Sequence, residues 1–373
     1  MKNRYVFIMS FLFFAHFLFG QEQKIKKAFG ELYGDLFEAD EPGGSILVMK
    51  GKDILFQGNY GVADIQTGEK ITENTIFNTG SISKTFVSNG ILILNERKKL
   101  SLDDPISKYF GDFDKKEIAE KVTIAHLLSH SSGLPDIRNV RNHREHFITA
   151  RDKENWEPIK RTEAFNFEPG SNFQYSNPAF NALALIIEQV SGKKWQSFIR
   201  EEIFKPSGME NSEITDGPLP DKDVAHAYID ENGKFVESDY GEVPTFAAAG
   251  NGGIWSSVME LAQYEKAIRA YTFLSEKMID QSRSPCVFPE WDQFKDPKIG
   301  YSWFLGEDSL FGTNELGVDI VYHTGSQGGF RAFYITIPEK DILYMALFNR
   351  PFDAYRDVMR DGLRILKEAN WMD

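Results

Sequence analysis

The pair Ser81 and Lys84 is the sharpest chemical signal in the sequence. It opens an apolar stretch that predicts a mostly buried helix over residues 81–97. Side chains three residues apart share one face of a helix, so the Lys84 amine can reach the Ser81 hydroxyl. Backbone N–H groups at a helix N-terminus favour negative charge on that hydroxyl, and a lysine in apolar surroundings loses its proton more easily. The alternative interpretation is an N-capping serine followed by a surface lysine.

Tyr175 and Asn177 form a second pattern, between a Glu-Pro-Gly turn and a helix predicted over residues 178–191. A phenol is a weak base unless a cation stabilises its anion, and Lys84 is a candidate for that cation. The Asn177 amide offers a donor and an acceptor, which suits it to hold Lys84 or a substrate amide. Taken alone, the pattern also fits a packed tyrosine beside a loop asparagine.

The third pattern is His323, Thr324, Gly325 and Ser326, at the end of a strand predicted over residues 320–324. Glycines at such a place let a ligand approach the backbone N–H groups closely. A sheet edge with free N–H groups can hold a substrate and form half of an oxyanion hole. A β-bulge and turn without a ligand is the alternative.

Together and in this order, the three patterns resemble the serine β-lactamase and penicillin-binding protein superfamily, which uses Ser-x-x-Lys, Tyr-x-Asn and Lys/His-Thr-Gly. The resemblance is closest to the class C β-lactamase-like branch and covers most of the chain. It implies that Ser81 is the acylated nucleophile. It also implies that Lys84 and Tyr175 handle the protons of the serine and of the leaving group, with no metal or cofactor.

The same resemblance implies roles for the remaining residues. Asn177 would orient Lys84 and the substrate amide, and the backbone N–H groups of Ser81 and Ser326 would form the oxyanion hole. His323, with Thr324 and Gly325, would line the substrate site where many relatives have Lys-Thr-Gly. The histidine form disfavours a β-lactamase, resembles a subset of peptidases and other hydrolases, and predicts pH-sensitive substrate binding.

The leading functional hypothesis is therefore an exported serine hydrolase, D-Ala-D-Ala carboxypeptidase-like or a related peptidase, acting on a peptidoglycan-type peptide. A β-lactamase or a small-ester esterase is the first alternative. The second is a penicillin-binding sensor that is acylated but does not turn over. A sensor would usually need a membrane span joined to a signalling module, and no later segment of the sequence has the pattern of such a span.

Composition excludes several other classes of protein. The 373 residues carry 42 Lys+Arg against 55 Asp+Glu, a net charge of −13, which disfavours nucleic acid as a partner. Cys286 is the single cysteine, so no intramolecular disulfide or cysteine zinc cluster can form. His126 and His130 have the spacing of metal ligands, but the glutamate of the zincin motif is missing, and we expect no metal there.

The first twenty residues predict a cleaved signal peptide. Lys2 and Arg4 precede an apolar run over residues 5–19, and a charged helical pattern follows. An uncleaved membrane anchor is the alternative, but the run is shorter than the roughly 20 residues that a span needs. The expected location is periplasmic or secreted, with no membrane span after cleavage.

The remaining patterns predict an α/β (α+β) fold. A hairpin is expected over residues 45–49 and 54–57, further strands over 330–338 and 342–348, and a closing helix over about 353–368. The simplest arrangement of these elements is an antiparallel sheet of five or more strands flanked by the N- and C-terminal helices. The sheet domain would comprise residues 21–100 and 290–373, with a mainly helical domain inserted over residues 101–289.

Overall fold

The computed structural model describes residues 21–140, 142–217, 219–238, 247–286 and 297–372. The predicted signal peptide lies outside these residues. Within them, no helix has both the length and the apolar composition needed to cross a membrane.

A seven-stranded antiparallel sheet is the centre of the fold, and it confirms the prediction of five or more strands. Its strand order is β2-β1-β12-β11-β10-β9-β8, and smaller sheets are β3-β7-β4 and β5-β6. The strands are β1 (Gly44–Lys50), β2 (Asp53–Tyr60), β3 (Phe77–Asn78), β4 (Glu213–Ile214), β5 (Tyr228–Asp230), β6 (Phe235–Glu237), β7 (Ile254–Ser256), β8 (Lys298–Ile299), β9 (Phe304–Leu305), β10 (Val321–Gln327), β11 (Phe330–Ile337) and β12 (Ile342–Phe348).

The predicted hairpin is β1 and β2, and Gly51 makes its turn possible with a φ of 58°, which favours glycine. Strand β1 pairs with β2 on one side and with β12 on the other. The two ends of the chain therefore share one sheet, as the sequence pattern predicts.

Helices surround the sheet. They are α1 (21–34), α2 (Ser83–Glu96), α3 (Lys116–Lys121), α4 (Ile124–Leu128), α5 (Arg144–Thr149), α6 (Asp152–Trp156), α7 (Asn177–Ser191), α8 (Trp195–Ile199), α9 (Lys205–Ser207), α10 (Ala249–Gly252), α11 (Val258–Arg269), α12 (Glu276–Ser282), α13 (Glu307–Phe311) and α14 (Tyr355–Glu368). Short 3₁₀ turns lie at Gly80–Ile82, Ile106–Lys108, Glu157–Arg161 and Pro338–Lys340, and a π-helical turn lies at Arg200–Phe204.

The terminal helices α1 and α14 pack together on one face of the sheet. Phe29 of α1 and Leu363 of α14 share a buried apolar cluster with Phe333 of β11. The Tyr33 and Tyr344 hydroxyls hydrogen-bond inside this cluster. A second cluster contains most of α2 and α7 and covers the other face, so α2 is held between the sheet and the inserted helices.

The helix ends follow from local side-chain chemistry. The Thr123 hydroxyl accepts the His126 N–H, and His126 Nδ1 accepts the Thr123 N–H at 3.1 Å, which makes a capping box at the start of α4. His126 thus has a structural partner. Helix α7 ends at Gly192, whose φ is 70°. Between residues 101 and 289, helices are the commonest regular structure of the described chain, and the division of this segment into a separate, mainly helical domain remains a prediction.

Candidate active site

Ser81 lies in the 3₁₀ turn Gly80–Ile82, immediately before α2. Two glycines bring this turn against β10. A Cβ at Gly80, where φ is 52°, would lie 2.7 Å from the Ser326 backbone nitrogen, and one at Gly325 would lie 2.1 Å from the Thr79 carbonyl oxygen. Neither approach is possible with a side chain, so the two glycines allow the Ser81 turn and the Ser326 N–H to be neighbours.

Lys84 is 0% exposed, and its Nζ donates to Ser81 Oγ at 3.1 Å and to the Asn251 carbonyl oxygen at 2.7 Å. It forms no ion pair with a carboxylate of the described residues. Burial, and then the positive charge of Arg138, hold the pKa of Lys84 well below its usual value. The structure therefore places an amine that is easier to deprotonate than an ordinary lysine at hydrogen-bonding distance from the serine.

Tyr175 stands on the other side of Lys84, whose Nζ lies 5.1 Å from the centre of the phenol ring. Tyr175 is 37% exposed. Desolvation of its hydroxyl still raises the pKa of Tyr175 above 10, against a smaller lowering by its hydrogen bond with Ser81. The phenol is therefore protonated at neutral pH. It can donate a proton to a leaving group, whereas a phenolate base would need a stronger cation beside it.

His130 supports the Tyr175 ring, a role that the sequence did not suggest. The two rings stack with centroids 4.4 Å apart. The Ser176 N–H donates to His130 Nδ1 at 3.0 Å, and burial, then Lys84 and His323, lower the pKa of His130 well below 6.5. His130 is thus a neutral ring. Its backbone φ is 57°, in the left-handed region that residues other than glycine seldom adopt.

Strand β10 presents a free edge at the third pattern. It pairs with β11 over its whole length but with β9 only at Val321 and Tyr322. Beyond these two residues, no described strand pairs with that edge. An extended substrate can therefore lie along the segment that ends at Ser326.

His323 is buried beside Lys84, and its Nδ1 donates to the Thr324 carbonyl oxygen at 2.7 Å. Burial, and then the charge of Lys84, lower the pKa of His323 to about 3. The sequence predicted pH-sensitive substrate binding through this histidine. Its titration lies far below neutrality, because the ring is removed from water beside a lysine, so that prediction needs correction.

The structure brings Ser81, Lys84, Tyr175, His323 and Ser326 together at one place between α2 and β10. Asn177 is the half-buried first residue of α7. Within the described chain, the Lys84 hydrogen bonds go to Ser81 and to the Asn251 carbonyl, so the lysine-orienting contact expected of Asn177 belongs to Asn251. A main-chain carbonyl has no residue signature, and the sequence analysis missed it.

Two arginines near the site have their guanidinium groups engaged. Arg138 makes a two-point contact with the Asp136 carboxylate and donates to Asn155 Oδ1 at 2.5 Å. Arg331 donates to the carbonyl oxygens of Gly328 and Phe330 at 2.8 and 2.7 Å. Arg138 is therefore paired with a carboxylate, whereas both Arg331 hydrogen bonds leave from Nη1 and go to neutral carbonyl oxygens.

Comparisons with known proteins identify the family and the fold. The sequence model of the Beta-lactamase family matches residues 24–367. The chain is 26% identical over 359 residues to "Penicillin-binding protein 4*" of Bacillus subtilis (strain 168), covering 92% of this chain and 77% of that protein. It is 24% identical over 341 residues to "D-alanyl-D-alanine-carboxypeptidase/endopeptidase AmpH" of Escherichia coli (strain K12), covering 87% and 83%. The octameric penicillin-binding protein homologue of Pyrococcus abyssi superposes with a TM-score of 0.74 at 28% identity, covering 93% of this chain and 77% of that one.

Proposed function

The chain belongs to the beta-lactamase family of serine hydrolases, and we propose that it acts through an acyl-enzyme on Ser81. The observation that carries the proposal is the Lys84 amine, fully buried, without a carboxylate partner in the described chain, and 3.1 Å from Ser81 Oγ. A lysine that burial keeps neutral can take the serine proton.

In the proposed acylation step, Ser81 Oγ attacks the substrate carbonyl carbon while Lys84 accepts its proton. The backbone N–H groups of Ser81 and Ser326 hold the carbonyl oxygen as negative charge develops on it. The protonated Tyr175 gives its proton to the leaving group as the scissile bond breaks, and it is reprotonated at the expense of Lys84. Water then attacks the carbonyl carbon of the ester on Ser81. Lys84 and Tyr175 take up a proton from this water and return a proton to Ser81 Oγ as the ester breaks.

For the substrate, we propose a peptide bond next to a D-amino acid, as in a peptidoglycan-type peptide. The free edge of β10 supports an extended peptide, since backbone pairing needs no particular side chain. Two of the similar proteins carry names that point the same way, namely a penicillin-binding protein and a D-alanyl-D-alanine-carboxypeptidase/endopeptidase.

The neutrality of His323 favours a second candidate, cleavage of an amide or ester without a free carboxylate next to it. A carboxylate that loses part of its hydration on binding, without a positive partner, does so at a cost in free energy. His323 is uncharged at neutral pH, Arg138 is paired with the Asp136 carboxylate, and Arg331 donates through Nη1 to two backbone carbonyls. Carboxypeptidase activity needs a positive partner for the free carboxylate of its substrate more than endopeptidase, amidase or esterase activity does.

The two candidates are distinguished by one pair of peptides. We would compare release of D-alanine from an acyl-D-Ala-D-Ala peptide with release of D-alaninamide from the same peptide amidated at its C-terminus. A preference for the free acid supports the carboxypeptidase, and a preference for the amide supports the second candidate. Ser81→Ala is the control, and hydrolysis of either peptide by this variant would overturn the proposal.

Benzylpenicillin extends this test to the remaining alternatives. Accumulation of the opened ring would indicate a β-lactamase. A Ser81 adduct that persists, with neither peptide nor p-nitrophenyl acetate turned over, would indicate a penicillin-binding sensor.

We also propose that the protein is exported to the periplasm or secreted, on the pattern of residues 1–20. The test is the N-terminal sequence of the protein isolated from the cells that make it. A new N-terminus near residue 21 supports export, and an intact Met1 on the accumulated protein contradicts it.

A further inference from the structure

A chain of buried polar groups runs from Lys84 to a carboxylate on α6, outside the three patterns. The Asn251 carbonyl oxygen accepts from Lys84 Nζ at 2.7 Å, and Asn251 Nδ2 donates to Asn181 Oδ1 at 3.2 Å. Asn181 Nδ2 donates in turn to Asp152 Oδ1 at 2.6 Å. All four side chains are buried.

Asp152 is a carboxylate buried among uncharged groups. Besides Asn181, the groups that donate hydrogen bonds to it are the Gly250 N–H, at 2.8 Å from Oδ1, and Trp195 Nε1, at 3.0 Å from Oδ2. It forms no ion pair with a described lysine or arginine. Burial raises the pKa of Asp152 to about 7 despite these hydrogen bonds. A carboxylate held only by neutral donors is a poor source of stability, because its desolvation is not compensated by an opposite charge.

The Asp152 contacts converge on α10, the short helix that carries Asn251. A Cβ at Gly250 would lie 2.9 Å from Asp152 Oδ1, 2.8 Å from the Ala184 Cβ and 2.9 Å from the Phe180 carbonyl oxygen. The backbone at Gly250 is therefore pressed against both α7 and the carboxylate. Asp152 Oδ1 holds α10 at Gly250 directly and at Asn251 through Asn181.

The position of the Asn251 carbonyl matters because of the geometry of a neutral amine. A neutral lysine has two N–H donors and one lone pair, and the lone pair must point at the Ser81 hydroxyl to accept its proton. Donation of one N–H to the Asn251 carbonyl limits the amine to two orientations, with either its second N–H or its lone pair facing Ser81 Oγ. A carbonyl that moves would leave Lys84 beside the serine with its lone pair turned away.

We propose that Asp152 is a positioning residue for acylation: through Asn181 and Gly250 it holds the Asn251 carbonyl that directs the Lys84 amine at Ser81. This inference rests on the proposed function, in which Ser81 is acylated. According to this inference, the buried network affects the rate of acylation as well as the stability of the fold.

The test compares Asp152→Asn with Glu260→Gln. Glu260 is a matched control, since it is also a buried carboxylate held by neutral donors, the Asn211 N–H at 2.7 Å and the Ser212 hydroxyl. The readouts are the rate of Ser81 labelling by a fluorophosphonate, kcat and KM for p-nitrophenyl acetate, and the folded fraction from thermal melting.

We expect Asp152→Asn to slow labelling by about tenfold to hundredfold per folded molecule, the effect of a small misplacement of a reacting group. The value of kcat should fall by a similar factor with KM unchanged, and Glu260→Gln should label at the wild-type rate. Labelling of folded Asp152→Asn at the wild-type rate would overturn the inference, as would an equal loss in the control. Absence of Ser81 labelling in the wild type would instead overturn the proposed function.

A double-mutant cycle with Asn181→Ala separates a connected chain from independent structural effects. If Asp152 acts on Lys84 through Asn181, the double variant should label little more slowly than the slower single variant. If the double variant instead shows the product of the two single losses in labelling rate, Asp152 and Asn181 act independently, which would contradict the proposed chain of hydrogen bonds. This cycle also covers the case in which Asp152→Asn folds poorly, because Asn181→Ala alone should then lower kcat without raising KM, and an unchanged kcat would contradict the inference.

Discussion

Glu265 and Lys84 are both buried charged residues, but their surroundings differ in kind. Glu265 is 1% exposed at the junction of α11 and the sheet, where Arg283 lies 2.7 Å and Arg269 2.8 Å from its carboxylate. Burial disfavours its ionisation, but the two arginines outweigh burial and lower the pKa of Glu265 to about 2. Lys84 is equally buried, and no described carboxylate pairs with it, so burial sets its pKa.

The difference indicates what each region does. Opposite charges that neutralise each other hold two elements together and have no proton to exchange near neutral pH. A buried ammonium group without a partner gives up its proton readily, which is the property a general base needs. Two buried histidines resemble Lys84 rather than Glu265. Their ring nitrogens His130 Nε2 and His323 Nε2 have no hydrogen-bond partner in the described structure.

Lys84→Met should produce the largest change in activity. Loss of a positioned base lowers hydrolysis by about 10²- to 10⁴-fold. Because the variant removes a buried amine that has no acidic partner, the melting temperature should stay equal or rise. Initial rates on p-nitrophenyl acetate and a thermal melt measure both. A variant that unfolds would contradict the contrast between the two regions.

Arg283→Met should have the opposite effect, a loss of stability without a loss of chemistry. It leaves Glu265 with only part of its positive surroundings, at an expected cost of about 3–5 kcal/mol in the free energy of unfolding. Urea unfolding measures this value, and activity per folded molecule should be unchanged. Arg364→Met is the control, since Arg364 pairs with Glu315 at the surface and its loss should leave the urea midpoint in place.

Stability should depend on pH with opposite signs at Glu265 and Asp152. The folded pKa of Glu265, about 2, is below its ordinary value near 4.5, so its contribution is present above pH 4.5 and lost as the pH falls towards 2. The folded pKa of Asp152, about 7, is above its ordinary value near 3.8, so stability falls as the pH rises from 4 to 7.

Unfolding curves between pH 2 and 8 test these signs. Glu265→Gln should remove the acid-side slope and Asp152→Asn the slope between pH 4 and 7, each at most about 1.4 kcal/mol per pH unit. A slope of unchanged size in either variant would show that another group causes it.

The smallest expected effect concerns Arg138, whose charge helps to lower the pKa of Lys84. Arg138→Gln should raise that pKa and move the rise of the acylation rate to higher pH. Fluorophosphonate labelling measured across pH gives the midpoint. Arg350→Gln, a remote half-buried arginine, should leave the midpoint where it is, and a shift towards lower pH in Arg138→Gln would contradict the sign.

Local sequence pattern predicted a large part of the fold. The hairpin of β1 and β2, helix α7 and strands β11 and β12 lie within a few residues of their predicted bounds, because alternation, apolar spacing and turn residues act over short distances. Two-residue strands such as β3 and β9 have no such pattern. They form because distant segments meet there, and a short window of sequence cannot indicate the meeting.

The site was predictable in its residue types and less so in its contacts. Side-chain chemistry and spacing singled out Ser81, Lys84 and Tyr175 as candidates, and the family resemblance implied their roles. The Asn251 carbonyl was not, because a main-chain atom is present at every residue. The neutrality of His323 also required the structure, since it follows from burial beside Lys84.

The central claim, that the buried unpaired Lys84 activates Ser81, is tested most directly by mass spectrometry of the intact protein and of its peptides after fluorophosphonate treatment. The account predicts a single adduct on the peptide containing Ser81, none in Ser81→Ala, slow formation in Lys84→Met, and a wild-type rate for folded Arg283→Met. Labelling of Ser81→Ala equal to the wild type, or of Lys84→Met at the wild-type rate, would contradict it.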